Sequence, residues 1–390
     1  MPVGEADRRR PTRGVVVAFI LDNSLLLLIG AATAMVWANV AAPSYRRIVE
    51  TLRFAVNDLG MVFFFAAAMK EVVEAMLPGG PLGSFRRASV PILAAVGGMA
   101  GPALLFTLSA HAIDRPEILR GWAIPCATDI AFSFLAARFA FGKGHPAIPF
   151  LLLLAIADDA LGLIVLALFY PSGPVTMPAV VGWLAPALLV AWVLRKLGVE
   201  SFWLYILGPG VLSWIGLHEG GLHPALAMVP IIPFMPHERS DLWRFGATQP
   251  IRLATLQQFQ FWWRLPVQVI LLGFGFVNAG VPFTSIGAIT WIIAASLVVG
   301  KPIGIVLTTL LAGRVGFQRD PSLDFRALVT LGILAGIGFT VALFFATAAF
   351  PAGVVLEQAK MGALFSFSAA LLGITAARLL GVKRDVGGQK

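Results

Sequence analysis

Two adjacent carboxylates, Asp158 and Asp159, stand in the middle of a long apolar stretch. Residues 147–157 precede them and residues 160–170 follow them, and both segments are apolar or small apart from the final Tyr. Adjacent helix positions differ by about 100°, so one side chain can face a cavity while the other meets a partner. Apolar surroundings favour the protonated form of a carboxyl and couple neighbouring titrations. We therefore expect proton carriers here, the alternative being that both carboxylates are held in salt bridges.

A lysine in a second apolar stretch is the expected partner for one of these carboxylates. Lys301 follows a run of apolar or small residues and lies thirteen positions before Arg314. A charged group at the centre of a bilayer costs at least ~2.5–3.5 kcal/mol on insertion scales, which favours pairing. Two other interpretations are that Lys301 extends its amine to the membrane surface, or that it carries retinal as a Schiff base with an Asp counter-ion. Retinal-binding membrane proteins of that kind have fewer helices than are predicted for this chain.

A proline followed by two polar residues interrupts another apolar segment. Pro125 lacks a backbone N–H and disturbs the helix before it, and Thr128 and Asp129 follow. Hard cations take oxygen ligands, so Thr128, Asp129 and Asp159 are a candidate Na⁺ site. The alternative is a kinked helix that is capped by Asp129.

A second interruption is predicted near the end of the chain, where Gly336, Gly338 and Thr340 lie within one apolar segment. Glycine in a membrane helix often serves only close packing. Two interrupted helices at corresponding positions of two halves, however, indicate a binding site at the bilayer midplane.

Three further ionisable residues are candidates for pH sensing. Glu71 and Glu74 lie near the end of the second apolar segment, and Lys70 is spaced four residues from Glu74, which predicts an ion pair on one helix face. His223 titrates near neutral pH when unperturbed, although a lone histidine is more often structural.

The composition excludes soluble and disordered proteins. Apolar residues make up 58% of the chain, charged residues only 13%, and the mean hydropathy is +0.86. One cysteine excludes a disulfide framework and a Cys-based zinc site. The five histidines are dispersed, so no metal cluster or other cofactor is predicted.

We predict an all-α membrane protein that forms one domain over residues 1–390, with short tails at about 1–14 and 381–390. A membrane-spanning helix needs about 20 mostly apolar residues, and by this criterion the chain has twelve candidate spans. The seventh and eighth are short, so the number of spans could be eleven or ten. The twelve predicted spans are 18–40, 58–77, 88–110, 122–141, 147–170, 177–194, 202–217, 222–236, 256–278, 286–313, 327–350 and 354–379.

The net charge of +9 is explained by membrane orientation rather than by nucleic-acid binding. With the N-terminus inside, twenty of the 29 Lys and Arg fall in cytoplasmic segments and six in outer ones. This predicts an even number of spans with both termini in the cytoplasm. The outer segment 43–56 is an exception, because it carries Arg46, Arg47 and Arg53.

The motifs resemble those of the NhaA-type sodium/proton antiporters, in the same order, over residues 15–380. The resemblance is carried by Ala127-Thr-Asp-Ile-Ala-Phe132, Asp158-Asp159, Val277-Asn-Ala-Gly280, Gly300-Lys-Pro-Ile-Gly304 and Gly336-Ile-Gly-Phe-Thr340.

The resemblance implies a fold and roles for these residues. It implies twelve helices in which spans 3–5 and 10–12 are inverted-topology repeats, with spans 4 and 11 unwound and crossing at mid-membrane. By motif, Asp159 is the principal cation- and proton-binding carboxylate, and Asp158 is its neighbour, paired with Lys301. Thr128 and Asp129 lie at the first helix break.

The resemblance also implies a function. The chain is expected to be a secondary antiporter, not an enzyme, that exchanges Na⁺ or Li⁺ for H⁺ without a cofactor. It is expected in the bilayer of a bacterial inner membrane, where it could form a homodimer.

Some positions depart from the family pattern. The second span reads Ala68-Met-Lys-Glu-Val-Val-Glu-Ala75, so one glutamate and the basic pair of the family are displaced. Gln257 and Gln258 stand near the position of a family glutamate, and the outer segment 41–55 has no evident hairpin turn. The pH-response network is therefore expected to differ.

Two rival functions remain at this point. A sodium-coupled symporter of an organic anion would need a roomy pocket beside the broken helices. An intramembrane aspartyl protease would need Gly-x-Gly-Asp, whereas Cys126-Ala-Thr128 precedes Asp129 and Ala155-Ile-Ala157 precedes Asp158.

Overall fold

The computed structural model describes residues 24–142, 144–237, 254–317 and 323–382, and these residues form helices joined by turns and short loops, with no strand among them. This confirms the all-α fold class. Most of the predicted tails lie outside the described residues, as do the first residues of the first predicted span.

The described ranges contain sixteen α-helices. In chain order they are α1 (Leu25–Val40), α2 (Ala42–Arg53), α3 (Met61–Met76), α4 (Phe85–Ala112), α5 (Ile130–Phe141), α6 (Ala147–Phe169), α7 (Met177–Lys196), α8 (Phe202–Tyr205), α9 (Val211–Glu219), α10 (Thr255–Asn278), α11 (Ala288–Ala295), α12 (Lys301–Arg314), α13 (Phe325–Ala335), α14 (Phe339–Ala349), α15 (Val354–Phe365) and α16 (Ser368–Leu379).

Three segments of π-helix connect some of these helices into longer rods. They are Phe54–Gly60 before α3, Ile206–Gly210 between α8 and α9, and Ser296–Gly300 between α11 and α12. Such widened turns often occur at functional sites. The third ends one residue before Lys301, so it helps to set the direction of that side chain.

Five continuous rods are long and apolar enough to cross a membrane: residues 88–112, α6, α7, 288–314 and 354–379. Two more candidates are bent pairs, at 57° between Pro116–Cys126 and α5 and at 51° between α13 and α14. These bends match the two predicted interruptions.

The eighth predicted span is not a membrane-length helix. Residues 222–236 form turns with two short 3₁₀ segments, Pro224–Leu226 and Ile232–Phe234. Four prolines in fifteen residues explain the difference, since each removes a backbone donor and clashes with the preceding turn. The hydrophobicity of this segment predicted its burial but not its helicity.

The structure also differs from the prediction in the outer segment that carries three arginines. Residues 42–53 form helix α2 rather than a loop.

Two parts of the chain repeat one order of elements. A long helix, a broken helix and a further long helix span residues 85–169, and the same order recurs over residues 288–379. The inverted orientation of these two repeats stays a prediction.

The first helices of the two repeats approach each other closely because glycines face one another. A side chain added at Gly304 of α12 would put its Cβ 1.9 Å from the Gly97 carbonyl oxygen of α4, and one at Gly101 would lie 2.3 Å from the Gly300 carbonyl. Small residues permit this backbone contact between membrane helices. The contact fixes the rod that carries Lys301.

We expect Gly304→Ala to lower the melting temperature, because overpacking of a close contact typically costs about 1–3 kcal/mol. Gly313→Ala on the same helix is the control, since a Cβ there meets nothing within 4 Å. Thermal unfolding of the purified protein in detergent compares the two. Equal melting temperatures would contradict the close helix contact.

Candidate functional site

The two helix breaks lie against each other and share hydrogen bonds. The backbone N–H of Asp129 donates to the Ile337 carbonyl at 2.7 Å, and the hydroxyl of Ser133 donates to the Leu334 carbonyl at 3.0 Å. The hydroxyl of Thr128 lies 3.1 Å from the carbonyl of Ala335. The Leu334 and Ile337 carbonyls at the break in α13–α14 are thus partnered by residues of the other break, as the membrane interior requires.

Asp129 is the N-cap of one half-helix and contacts the start of another. Its Oδ1 accepts from the Phe132 N–H of α5 at 3.4 Å. Its Oδ2 accepts from the Thr340 N–H of α14 at 3.2 Å and from the Thr340 hydroxyl. Helix N-termini carry partial positive charge, so two helix ends stabilise this buried carboxylate.

Asp158 and Lys301 form a fully buried ion pair between α6 and α12. The ammonium donates to Asp158 Oδ2 at 2.9 Å and to the Cys126 carbonyl at 2.5 Å. The Thr128 hydroxyl donates to the same carboxylate oxygen at 2.7 Å. Within the described residues Asp158 Oδ1 is buried without a donor. This pair is electrically neutral and tied to the first helix break.

Asp159 has a different environment from its neighbour. It is partly exposed, and no described residue donates a hydrogen bond to its side chain or forms an ion pair with it. It lines a cavity of about 390 Å³, whose wall includes Thr128, Asp129 and Thr340. When ionised, Asp159 therefore contributes a negative charge that no described residue compensates, beside a compensated pair.

The opposite side of Asp159 is closed by apolar side chains. Only about 20 Å³ of free space lies between the two aspartates and Phe65, Leu166 and Phe345. That volume holds roughly one water molecule. Among the described residues, the open approach to this carboxylate is therefore from the larger cavity.

The candidates for pH sensing lie at two different ends of the molecule. Glu71 lines the 390 Å³ cavity. Glu74 pairs with Lys70 at 2.5 Å, and Lys70 also donates to Gln260 Oε1 at 2.7 Å.

His223 borders a separate cavity of about 430 Å³. Its ring lies 4.7 Å from that of Phe344, and its Nδ1 accepts from the Ala225 N–H at 3.4 Å. His223 is therefore not among the residues that line the Glu71 cavity.

Sequence reasoning missed several of these contacts. The Cys126 carbonyl and Gln260 accept from buried lysines, and Ser366 donates its hydroxyl to Ala363 while accepting from the Gly338 N–H at 3.2 Å. A polar side chain in an apolar segment is visible in the sequence and could have indicated such contacts. A backbone carbonyl that accepts a hydrogen bond has no counterpart in the sequence.

Comparison with known proteins decides the family. A family model described as "Na+/H+ antiporter 1" matches residues 17–377. The chain belongs to this family.

Curated family members align over nearly the whole chain. "Na(+)/H(+) antiporter NhaA 2" of Pelobacter propionicus is 44% identical, with 93% of this chain and 97% of that protein covered. "Na(+)/H(+) antiporter NhaA" of Geotalea uraniireducens is 43% identical, with 94% and 97% covered. The resemblance to NhaA-type antiporters is confirmed.

A solved structure supports the fold alone. The sodium proton antiporter MjNhaP1 of Methanocaldococcus jannaschii superimposes with a TM-score of 0.55 at 14% identity, covering 94% of each chain. The Na⁺/H⁺ antiporter family consists of transporters, and the apolar helices of this member are those of a multi-pass membrane protein.

We expect Lys301→Ala to destabilise the protein by about 3–5 kcal/mol, because it leaves the buried Asp158 carboxylate uncompensated. Asp158→Asn in the same chain should restore part of the loss. Thermal unfolding measures both variants, with exposed Lys196→Ala as a control that should change little. A double variant no more stable than Lys301→Ala would show that the pair does not contribute as described.

Proposed function

We propose that the protein exchanges Na⁺ or Li⁺ for H⁺, and that the two ions compete for Asp159. The observation that carries this proposal is the contrast within the Asp pair. Asp158 is held by Lys301 and Thr128, whereas Asp159 faces a cavity without a donor among the described residues. A lone carboxylate in a cavity accepts either a proton or a monovalent cation.

The cation is the cargo, and oxygen atoms near Asp159 are its proposed ligands. Thr128, Asp129 and Thr340 share the cavity wall with Asp159. No described cluster of three His, Cys, Asp or Glu side chains could hold a metal ion. A weakly held Na⁺ with one principal carboxylate and neutral oxygens suits an ion that must also be released.

Obligatory exchange follows from charge. Because Asp158 and Lys301 neutralise each other, an ionised Asp159 without a bound ion gives the site a net negative charge. This charge would have to cross an apolar layer when the site changes sides. The energetic cost of moving such a charge through a membrane interior is high. Binding of one proton or one cation neutralises the site and permits reorientation, so empty movement is suppressed.

We propose that the Asp159 cavity opens to the cytoplasm. Lys70, Glu71 and Gln260 of its wall lie toward the C-terminus of α3 and the N-terminus of α10. The distribution of basic residues supports placing that end at the inner face of the membrane, with both termini cytoplasmic, and the proposed membrane is a bacterial inner membrane. A homodimer stays a prediction.

The rival symporter of an organic anion is less compatible with this cavity. Its volume would admit a small organic ligand, but Glu71, Asp129 and Asp159 all line it. Lys70 is paired with Glu74, and one further cation, Arg264, is outnumbered by these carboxylates. Like charges would repel the carboxylate of such a substrate.

We expect Asp159→Asn to reduce exchange to background, because an amide carries neither the titrating proton nor the full negative charge. The measurement is proton movement in everted vesicles after addition of Na⁺, Li⁺, K⁺ or an organic anion. Asp114→Asn, in an exposed turn, is the control and should exchange normally. Activity of Asp159→Asn close to that of the original protein would refute the proposal.

The pH response is expected to be set mainly by competition at Asp159. Glu74 is paired with Lys70, and His223 borders another cavity, which leaves Glu71 as the free acidic candidate beside the transport cavity. The apparent KM for Na⁺ should fall by up to about tenfold per pH unit below the pKa of the site and then level off. Maximal velocity should change little between about pH 6 and 9. A steep change in maximal velocity at saturating Na⁺ would instead reveal a separate sensor, with Glu71→Gln as the variant that locates it.

A further inference from the structure

A second polar cavity lies at the opposite end of the bundle from the Asp159 cavity. Its volume is about 450 Å³, and Asn278 at the C-terminus of α10 lines it. Residues near the N-terminus of the same 24-residue helix, such as Gln260, line the Asp159 cavity. The Asp159 cavity follows this helix as far as Leu271, whereas the second cavity meets it at Val277 and Asn278, and the two cavities share no lining residue.

Three cations surround this second cavity. Arg46 and Arg53 come from α2, and Lys360 comes from α15. Arg46 and Arg53 are seven positions apart, so they lie on nearly the same face of α2. Among the described residues, none of these three side chains makes a hydrogen bond or an ion pair.

The carboxylates of the cavity do not fully compensate these cations. Glu50 and Glu357 also line it, which leaves one positive charge in excess among the lining residues; Asp58, which interacts electrostatically with Arg53, lies outside the lining. Glu357 already accepts a hydrogen bond from the Ser285 hydroxyl at 2.6 Å. Lys360 is partly buried, where a lone ammonium loses much of its hydration. The cavity therefore favours an anion.

The location of the cations supports the same conclusion. Arg46, Arg47 and Arg53 are the arginines of the outer segment that depart from the distribution of charge in the rest of the chain. Lys and Arg are enriched in cytoplasmic segments of membrane proteins, so membrane orientation does not explain these three arginines in an outer segment. They lie on an amphipathic helix with Tyr45 buried, and a basic amphipathic helix at a membrane surface attracts anionic headgroups.

We propose that this cavity binds a phosphate group between Arg53 and Lys360, with Arg46 adding positive charge. Guanidinium and ammonium groups together are well suited to phosphate oxygens. The group could belong to an anionic phospholipid or to inorganic phosphate, which share this chemistry. Because α2 lies outside both repeats and α15 within the second, the bound phosphate joins the two parts and stabilises this arrangement of them.

The test measures melting temperature in detergent, so it is independent of whether the protein exchanges Na⁺ for H⁺. The purified full chain is titrated with inorganic phosphate in one arm. In a second arm it is titrated with mixed micelles that contain phosphatidylglycerol, and in a third with the same micelles containing phosphatidylcholine. Ionic strength is held constant with choline chloride at a fixed Na⁺ concentration, which controls for general screening and leaves Na⁺ binding at Asp159 unchanged.

The expected result is that phosphate or phosphatidylglycerol raises the melting temperature in a saturable way and phosphatidylcholine does not. A response to inorganic phosphate identifies a free anion site, and a response to phosphatidylglycerol alone identifies a lipid headgroup. Arg53→Gln and Lys360→Gln should each weaken the apparent affinity at least about tenfold, since a hydrogen bond to a charged group typically contributes that much.

Arg47→Gln is the matched control. Arg47 lies on the same helix and carries the same charge, but it does not line the cavity. The Arg47→Gln variant should therefore bind phosphate or phosphatidylglycerol with unchanged affinity. If Lys360→Gln does not fold, the exposed Arg53 allows Arg53→Gln alone to decide. The proposal is overturned if neither anion shifts the melting temperature, or if Arg47→Gln weakens the response as much as Arg53→Gln does.

Discussion

The structure depends on the compensation of charge where two broken helices meet inside the bundle. Lys301 neutralises Asp158, and two half-helix N-termini stabilise Asp129. Each of these groups would be costly in an apolar interior without its partners. The neighbouring Asp159, in contrast, has no partner among the described residues and lines a cavity, which is why the proposed function places ion binding there. The arrangement thus separates a paired aspartate from an unpaired one at the next position.

The rest of the fold supports this crossing. Facing glycines bring α4 and α12 into backbone contact, which fixes the rod that carries Lys301. Apolar side chains close one side of Asp159, while the polar cavity leaves the other side accessible. In alternating access, each state of a transporter leaves its binding site open to one side of the membrane and closed to the other. The cation-lined cavity lies between α2 and α15 of the second repeat, where the proposed phosphate would join these two parts.

Much of the fold and some of the site could be predicted from local sequence. Apolar length located most membrane helices, and Pro125 with Gly336 and Gly338 located the two breaks. The prediction failed at residues 222–236, where hydrophobicity indicated a span but four prolines prevent a regular helix. It also treated residues 43–56 as an outer loop, where the chain forms α2. Hydrophobicity reports burial, whereas helicity also depends on backbone donors that prolines lack.

The sequence by itself determined that two carboxylates lie deep in an apolar segment and that their side chains diverge, because helix periodicity separates adjacent positions. Helix periodicity left open which one is paired; the family resemblance implied Asp158, and the tertiary structure shows the pair. Asp158 and Lys301 are 143 residues apart, and the Cys126 carbonyl that completes the lysine's contacts has no side-chain signal in the sequence. Likewise, only the packing of distant helices separates His223 from Glu71 and joins Lys70 to Gln260. Local sequence sets helix, break and polarity, but the partner of a buried charge depends on which helices pack together.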